Sequence, residues 1–365
     1  MSGRQGKALI TGGAGFIGSH LAEALLKRGY QVTVVDDLST GTFENVAHLV
    51  DRPGFKFAID SITNEVVMDR LVSDCTVIFH LAAAVGVELI VRDPVHAIET
   101  NILGTREVLK VAKRYRRKVL LASTSEIYGK SDAVPFREDD DRVLGATTKA
   151  RWSYSTSKAV DEFLALAYHR QMGLPVTIFR LFNTIGPRQT GRYGMVAPRF
   201  VQQALRGEPL TVYGDGQQSR CFCDVEDAVR AIVGLSESPE AVGEVFNIGA
   251  RDEITMLELA HKVLDMVDAR AGRVRDRTDG QKPKMDWRSR VKFVPYEEAY
   301  HTEFEDMRRR VPDTSKIERT IGWEPLVPLD DTLRKIIEGF EKGGNTARET
   351  AKPARGVKAG KVKRR

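Results

Sequence analysis

The amino-acid sequence predicts an α/β protein, in which a doubly wound parallel sheet is joined to a smaller C-terminal α/β domain. Three observations support this fold class. Short β-branched strands alternate with amphipathic helices through the first half of the chain, as expected for parallel strands linked by right-handed crossovers. A glycine-rich turn separates the first predicted strand from the first predicted helix. The chain has 365 residues, which is more than one hydrophobic core usually accommodates.

The predicted elements follow one another in a regular order up to residue 183. Strands are predicted at 7–11, 31–36, 55–59, 75–80, 118–123 and 175–180. Helices are predicted at 16–27, about 65–71, 94–115 and about 153–171. The pattern then becomes looser, with a helix near 197–206 and a buried strand within 244–250. We assign residues 1–183, rejoined by 222–250, to the sheet domain, and 184–221 with 251–341 to the second domain.

Charge and composition narrow the class of protein. The net charge is +6, but residues 342–365 alone carry +8, so the rest of the chain carries −2. This basic tail is nearly free of apolar residues and is predicted to be disordered, with no specific nucleic-acid partner. No apolar run is long enough to span a membrane, and no secretory segment precedes the first strand. Three cysteines form no even disulfide framework and no obvious metal site, which favours the cytoplasm.

The glycine-rich turn gives the first indication of a ligand. Gly12, Gly15 and Gly18 stand between a strand and a helix, where glycines allow close approach of a phosphate. The N–H groups at the start of the helix would then bind a pyrophosphate. Asp36 ends the next strand, where a carboxylate accepts hydrogen bonds from an adenosine ribose and repels a 2′-phosphate. These features together predict a Rossmann-type domain that binds NAD.

A second group of polar residues indicates acid–base chemistry. Tyr154 and Lys158 lie four residues apart on a predicted helix, so they share a face. A lysine cation can lower the pKa of a neighbouring tyrosine, which then works as a general base. The preceding strand ends in hydroxyl and carboxyl groups at the sheet edge where ligands of parallel sheets bind. The candidate catalytic residues are therefore Thr124, Ser125, Glu126, Tyr154 and Lys158.

These motifs resemble those of the extended short-chain dehydrogenase/reductases, in the group of nucleotide-sugar epimerases, dehydratases and decarboxylases. The matching segments, in chain order, are TGGAGFIG, VVDDLSTG, HLAA, NILGT, TSEIYG, YSTSK, RLFNTIGPR, LTVYGDGQQSRCFCDVEDA and FNIG. They cover about 7–250, and RRRVPDTSKIERTIGWEP extends the resemblance to about residue 341.

The resemblance implies roles for individual residues and a homodimer formed through a helix pair that includes the Tyr154 helix. Asp60 would bind the adenine amino group, and Lys158 would also hold the nicotinamide ribose. The implied cofactor-binding residues are Gly12, Gly15, Phe16, Ile17, Gly18, Asp36, Asp60, Ser61, Leu81, Ala82, Ala83, Asn101, Tyr154 and Lys158. The implied UDP-sugar-binding residues are Asn183, Arg188, Arg192, Leu210, Tyr213, Arg220 and Arg310.

The implied chemistry begins with oxidation at carbon 4 of the sugar, after which three outcomes are open. The 4-keto sugar is reduced on its other face by a 4-epimerase, loses a 5-carboxyl group as carbon dioxide in a decarboxylase, or loses its 6-hydroxyl in a 4,6-dehydratase. The Ser125–Glu126 pair and Arg310 resemble those of UDP-glucuronate decarboxylases, so we favour that reaction, with a UDP-xylose-type product. A 4-epimerase acting on UDP-glucuronate or UDP-glucose is the alternative, followed by a dehydratase and, remotely, a non-catalytic NAD-binding regulator.

Overall fold

The computed structural model describes residues 6–86, 90, 92–191, 195–272, 289–296, 298, 305 and 307–342. The predicted sugar-binding residue Arg192 and all of the basic tail except Lys342 lie outside these residues. No helix in the described part of the chain is long and apolar enough to cross a membrane.

The strands and helices alternate along the chain. The strands are β1 Lys7–Thr11, β2 Gln31–Asp36, β3 Phe55–Ile59, β4 Val77–His80, β5 Lys118–Thr124, β6 Val176–Leu181, β7 Thr184–Ile185, β8 Leu210–Tyr213, β9 Ser219–Cys221, β10 Cys223–Asp224, β11 Val245–Ile248, β12 Glu253–Thr255 and β13 Val291–Val294. The helices are α1 Phe16–Lys27, α2 Glu65–Ser73, α3 Pro94–Tyr115, α4 Arg151–Met172, α5 Val196–Leu205, α6 Val225–Glu237, α7 Met256–Arg270, α8 Ser315–Ile321 and α9 Leu329–Lys342.

Seven of these strands form one sheet in the order β11-β6-β5-β4-β1-β2-β3, and every neighbouring pair is parallel. The chain therefore winds outward from β1 in one direction and from β4 in the other. The predicted doubly wound parallel sheet is confirmed. In such a sheet, the point where the strand order reverses, between β1 and β4, is where ligands bind at the carboxyl ends of the strands.

Two apolar clusters cover the two faces of the sheet. Side chains alternate along a strand, so Ala8 and Ile10 of β1 pack with α1 and α6, while Leu9 packs with α2, α3 and α4 on the other face. The α8 segment also packs on the first face, through Ile317 and Trp323. This part of the chain, which the sequence analysis assigned to the second domain, thus contacts the large sheet.

A third apolar cluster lies apart from the large sheet. It is formed by the buried faces of α5, α7 and α9 together with β8 and β13, which pair in parallel. Antiparallel pairing of β9 with β12 and parallel pairing of β7 with β10 connect this region to the sheet edge. A separate core supports the predicted division into two domains, whose boundaries stay a prediction.

Helix α4 carries the predicted Tyr–Lys pair, so its ends matter for the site. It begins at Arg151, two residues before the predicted start, and places the Arg151 side chain inside the protein with 2% exposure. It ends at Gly173, whose left-handed conformation (φ 66°) stops the helix and lets the Gly173 N–H bond to the carbonyl of His169 at 2.9 Å.

Candidate active site

One long cavity of about 1000 Å³ runs along the carboxyl edge of the sheet. It begins at the glycine-rich turn, passes the ends of β4 and β5, and continues to β8 and β9. Most of the predicted site residues line it: Gly12, Gly15, Phe16, Ile17, Gly18, Asp36, Asp60, Ser61, Leu81, Ala82, Ala83, Thr124, Glu126, Tyr154, Lys158, Asn183, Arg188, Tyr213, Arg220 and Arg310. The fold thus brings residues from both halves of the chain to one cleft.

Three predicted residues do not line this cavity. The Asn101 side chain is buried on α3, where it accepts a hydrogen bond from the Ala84 N–H at 2.8 Å and donates to the Ser157 hydroxyl at 3.2 Å. It therefore fixes the segment that follows β4. Leu210 is fully buried in the third apolar cluster. Ser125 is also fully buried, but its hydroxyl contacts a cavity residue, as described below.

The glycine-rich turn is shaped by close backbone packing. A side chain on Gly12, which has φ +68°, would lie 2.7 Å from the backbone nitrogen of Ala82. A side chain on Gly18 would overlap Gly12, with the Gly13 Cα only 2.6 Å away. Helix α1 begins after Gly15 with no side-chain cap and no acidic residue in its first turn. Its N-terminus is therefore left open to the cavity, which suits an anionic group.

Asp36 holds this turn against the end of β2 through hydrogen bonds. Its buried carboxylate accepts hydrogen bonds from the N–H groups of Ala14 and Leu38, each at 2.9 Å. Burial raises the pKa of Asp36, and these two backbone donors act against that rise. The predicted ribose-binding carboxylate thus also has a structural role that the sequence did not indicate.

Tyr154 and Lys158 share one face of α4, as predicted, but their electrostatics differ from the prediction. The Tyr154 pKa is raised, because burial and the charges of Glu126 and Asp161 disfavour the tyrosinate, while a side-chain hydrogen bond with Thr124 acts in the other direction. The Lys158 ammonium donates to the buried Asp161 carboxylate at 2.8 Å. The expected lowering of the tyrosine pKa by lysine is therefore wrong for this structure.

A charged cluster lies beside Tyr154. The Glu126 carboxylate forms an ion pair with Arg151, and the Arg310 guanidinium lies 3.8 Å from its other oxygen. Arg310 also donates to the Ser125 hydroxyl at 3.3 Å. Arg151 and Arg310 are 2% and 8% exposed, so both cations are largely removed from water. The two guanidinium groups both face the Glu126 carboxylate, and guanidinium groups at this end of the cavity suit a ligand that carries a carboxylate.

Buried hydrogen bonds fix the turn that carries Glu126. The turn Ser125–Tyr128 is a single 3₁₀ segment after β5. The Ser155 hydroxyl donates to the Glu126 carbonyl at 2.8 Å. The Tyr128 hydroxyl donates to Asn247 at 2.7 Å and accepts from Arg180 at 2.8 Å. The carboxylate side chain is therefore held on a backbone that is anchored at both ends of the turn.

The far end of the cavity contains an aromatic ring and further cations. The Arg199 guanidinium stacks 4.2 Å from the centre of the Tyr213 ring, and Gln218 donates to the Tyr213 carbonyl at 2.9 Å. Arg220 lines the same cavity, is buried, and donates to the Ser219 carbonyl at 2.8 Å. Flat π surfaces next to guanidinium groups suit a nucleobase and its phosphates.

Two predicted sugar-binding residues are occupied by protein contacts. Asn183, at φ 34°, donates to the Cys221 carbonyl at 3.2 Å. Arg188 pairs with Glu23 of α1 and donates to the Ser19 hydroxyl at 3.3 Å. Arg188 therefore links the loop after β7 to the helix that follows the glycine-rich turn.

Sequence reasoning left several cavity residues out of its list of candidate site residues, among them Arg151, Arg199 and Gln218. Arg151 lies three residues before Tyr154, a spacing that places both on one helix face and could have identified it. Arg199 and Gln218 lie in the second domain, where the stacking on Tyr213 depends on tertiary contacts. No local pattern in the sequence indicates that stacking.

Comparison with known proteins supplies independent findings. The family model described as GDP-mannose 4,6 dehydratase matches residues 9–336. A UDP-N-acetyl-alpha-D-glucosaminuronate decarboxylase of Bacillus cytotoxicus is 41% identical over 337 residues, covering 92% of this chain and 98% of that protein. UDP-glucuronic acid decarboxylase 1 of Danio rerio is 37% identical, covering 92% of this chain and 73% of the other. A crystal structure of UDP-glucuronic acid 4-epimerase from Bacillus cereus, with UDP-glucuronic acid and NAD, has a TM-score of 0.77 at 29% identity, covering 92% and 99%.

Proposed function

Because the chain belongs to the extended short-chain dehydrogenase/reductase family of nucleotide-sugar epimerases and dehydratases, we propose that it is an NAD-dependent UDP-glucuronate decarboxylase. The observation that carries this proposal is the charged cluster beside Tyr154, in which the buried Arg151 and Arg310 face Glu126. Guanidinium groups at the reacting end of the cavity can bind the carboxylate of a uronate sugar. Relatives named as decarboxylases of uronate sugars support the same reaction.

The sheet-edge half of the cavity fits NAD. The uncapped N-terminus of α1 suits the pyrophosphate, and the buried Asp36 carboxylate at the end of β2 suits a ribose without a 2′-phosphate. When bound, NAD accepts a hydride from carbon 4 of the sugar and returns it at the end of the cycle. Lys158 also lines the cavity, and its ammonium would hold the nicotinamide ribose after turning away from Asp161.

The protein side chains handle the protons of this reaction. Tyr154 accepts the proton of the sugar 4-hydroxyl, and its hydrogen-bond partner Thr124 holds the same sugar oxygen. In the resulting 4-keto acid, the bond between carbon 5 and the carboxyl carbon breaks. Its electron pair moves into the enolate of carbons 4 and 5, and carbon dioxide leaves. Carbon 5 of the enolate then takes up a proton that comes from water, and the Glu126 carboxylate, next to Arg310, is placed to pass it on.

The two arginines have different places in this scheme. Arg151 is paired with the Glu126 carboxylate and fixes its position. Arg310 contacts both Ser125 and Glu126, so it can bind the substrate carboxylate before carbon dioxide is lost. Arg310 itself supplies the positive charge that pairs with the substrate carboxylate, so no additional charged group is needed to position it.

The other end of the cavity supports a uridine nucleotide as part of the substrate. Tyr213, stacked by Arg199, suits the uracil ring, and Arg220 suits the pyrophosphate. The relative from Bacillus cytotoxicus acts on the N-acetylated uronate, as its name states. UDP-N-acetylglucosaminuronate is therefore a second candidate substrate for the same decarboxylation.

A 4-epimerase is the alternative function, because the Bacillus cereus neighbour is a UDP-glucuronic acid 4-epimerase. That reaction retains the carboxylate and has no need for an acid–base group near carbon 5. The presence of Glu126 between two buried guanidinium groups supports decarboxylation over epimerisation.

Product mass distinguishes these functions. The purified enzyme is incubated with UDP-glucuronate or UDP-N-acetylglucosaminuronate, and the products are identified by mass and NMR. Loss of carbon dioxide from one of them is expected; an unchanged mass with inverted carbon 4 would instead establish the epimerase. In the Glu126→Gln variant, we expect carbon dioxide release to fall about 100-fold or more while UDP-sugar binding is retained.

We also infer a homodimer in the cytoplasm. Helices α3 and α4 pack together and expose Val95, Ile98, Leu103, Val160 and Phe163, of which Phe163 is 66% exposed. Apolar side chains on adjacent helices suit burial against a second copy. Cys75, Cys221 and Cys223 are all free and buried, which fits a reducing compartment. Light scattering on the wild type and on Phe163→Glu, which should become monomeric, tests the dimer.

A further inference from the structure

The Lys158–Asp161 ion pair is a feature that the proposed chemistry does not yet use. Asp161 is fully buried, and its carboxylate accepts from the Lys158 ammonium at 2.8 Å. Tyr154, Lys158 and Asp161 stand at positions i, i+4 and i+7 of α4, so all three lie on one helix face. The Asp161 carboxylate therefore lies next to the ammonium of Lys158, a predicted catalytic residue. Asp161 is about one helical turn further from the cavity than Lys158.

Neutral groups surround the far side of this pair. Thr105 of α3 lies beside the Asp161 carboxyl, and its hydroxyl contacts His80 at 3.0 Å. The other ring nitrogen of His80 contacts the Thr11 hydroxyl at 2.7 Å, at the end of β1. Burial lowers the pKa of His80 to about 3, so this histidine is neutral at physiological pH. Hence His80 does not compete with Lys158 for the Asp161 charge.

The neighbouring carboxylate has a different partner. Glu162 follows Asp161 directly, but it accepts hydrogen bonds from Ser123 at 2.5 Å and from Arg180 at 2.7 Å. It is thus part of the network that fixes the turn Ser125–Tyr128. Glu162 cannot replace Asp161 as the partner of Lys158 without losing these bonds.

The charged and polar groups that face Tyr154 come from three elements. Glu126 of the 3₁₀ turn and Asp161 of α4 disfavour ionisation of the Tyr154 hydroxyl, whereas Arg151 and the Thr124 hydroxyl favour it. Lys158 lies on the same face of α4, but its ammonium points to Asp161. Asp161 thus disfavours ionisation of the Tyr154 hydroxyl in two ways. Its own negative charge repels the tyrosinate, and its carboxylate holds the Lys158 ammonium.

We propose that Asp161 is a positioning residue that retains the Lys158 ammonium away from Tyr154 and from the cofactor ribose. This inference rests on the proposed function, because it assigns Tyr154 as the base. When Lys158 turns to the ribose, it leaves a buried carboxylate behind, so cofactor binding works against this ion pair. Asp161 therefore makes NAD binding weaker and raises the pH that Tyr154 needs in order to accept a proton.

The test compares the wild type with Asp161→Asn, which keeps the side-chain shape and removes the charge. Calorimetry without sugar measures the NAD dissociation constant, and we expect the variant to bind NAD severalfold more tightly. The pH dependence of kcat/KM for UDP-glucuronate gives the second readout. We expect its acidic limb to move to lower pH by about one unit, the effect of removing one nearby negative charge.

Asp268→Asn is the matched control. Asp268 is also fully buried on a helix and pairs with Arg290 at 2.9 Å, but it does not line the cavity. Both variants should lose stability, and Asp268→Asn should keep the wild-type NAD affinity and acidic limb. An Asp161→Asn enzyme whose acidic limb stays in place or moves to higher pH, or whose NAD affinity falls, overturns the proposal.

Two further outcomes are decisive. If Asp161→Asn does not fold, Asp161→Ser removes the same charge with a smaller side chain; failure of both to fold, while Asp268→Asn folds, would mean that the pair is structural and would overturn the proposal. Wild-type protein that turns over no uronate sugar contradicts the proposed function, but tighter NAD binding by Asp161→Asn would still support the role of Asp161.

Discussion

The two ends of the cavity present opposite kinds of chemical group to a ligand. At the sheet edge, Gly12, Gly15 and Gly18 contribute backbone and the absence of side chains. At the other end, long side chains such as Arg220 and Arg310 contribute charge. The first end is built from neighbouring residues, whereas Arg310 meets Ser125 across 185 positions of the chain. The end formed by backbone can therefore be identified from a local sequence motif. The end formed by charged side chains depends on the completed fold.

Tyr154 lies where the two ends meet, so its replacement should give the largest effect. Tyr154→Phe removes the hydroxyl and keeps the ring, and we expect turnover to fall about 100-fold or more because a general base is lost. NAD affinity, measured by calorimetry, should change little. Tyr168→Phe, on the same helix but outside the cavity, is the control and should remain active. Near-normal turnover by Tyr154→Phe would contradict the assignment of the base.

Replacement of a glycine tests the end of the cavity that is formed by backbone. In Gly18→Ala, the new methyl group would overlap the Gly12 backbone, and we expect a loss of about 1–3 kcal/mol in the free energy of unfolding together with weaker NAD binding. Gly339→Ala is the control, because that exposed helical position has no atom within 4 Å of the added methyl group. It should stabilise the protein by about 0.5–1 kcal/mol, measured by urea unfolding. Equal effects at both positions would argue against the packing interpretation.

Replacement of an arginine tests the end of the cavity that is formed by charged side chains. Arg220→Met keeps much of the side-chain length and removes the guanidinium, so we expect KM for the UDP-sugar to rise about tenfold, with NAD affinity unchanged. The exposed Arg334, which pairs with Asp331 on α9, provides the control variant Arg334→Met. A rise in the NAD dissociation constant without a rise in KM would place Arg220 at the wrong end of the cavity.

The last prediction concerns the pH dependence of stability at His80, which is buried between β1 and α3. The folded pKa of His80 is about 3, against 6.5 for the free side chain. Between these values the unfolded chain binds a proton that the folded chain does not, so the free energy of unfolding falls as pH falls, by at most about 1.4 kcal/mol per pH unit. Urea unfolding at pH 6 and pH 4 should show a shallower dependence in His80→Gln. Equal slopes would mean that His80 is not buried in its neutral form.

Sequence patterns predicted the fold closely where local signals determine structure. Helices α1 and α3 match the predicted ranges, since Gly15 and Pro94 mark their starts. The start of α4 was placed two residues late, because Ala150 offers no capping side chain to recognise. The predicted effect of Lys158 on Tyr154 was wrong because the partner of Lys158 is decided by burial, which one sequence does not reveal. Local motifs therefore locate the site better than they describe its charges.

The backbone on both sides of Arg310 is hydrogen-bonded to other parts of the fold. On one side, the carbonyl of Arg308 accepts from the Ser219 N–H at 3.0 Å, beside Arg220. On the other side, the carbonyl of Val311 accepts from the Phe136 N–H at 2.8 Å, and the Phe136 carbonyl accepts from the Asn247 side chain at the main sheet. These residues form a strap between the β9 strand that carries Arg220 and the main sheet. The strap fixes the span between Arg220 and Arg310, so under the proposed function this span would have to match the distance between the substrate pyrophosphate and its carboxylate.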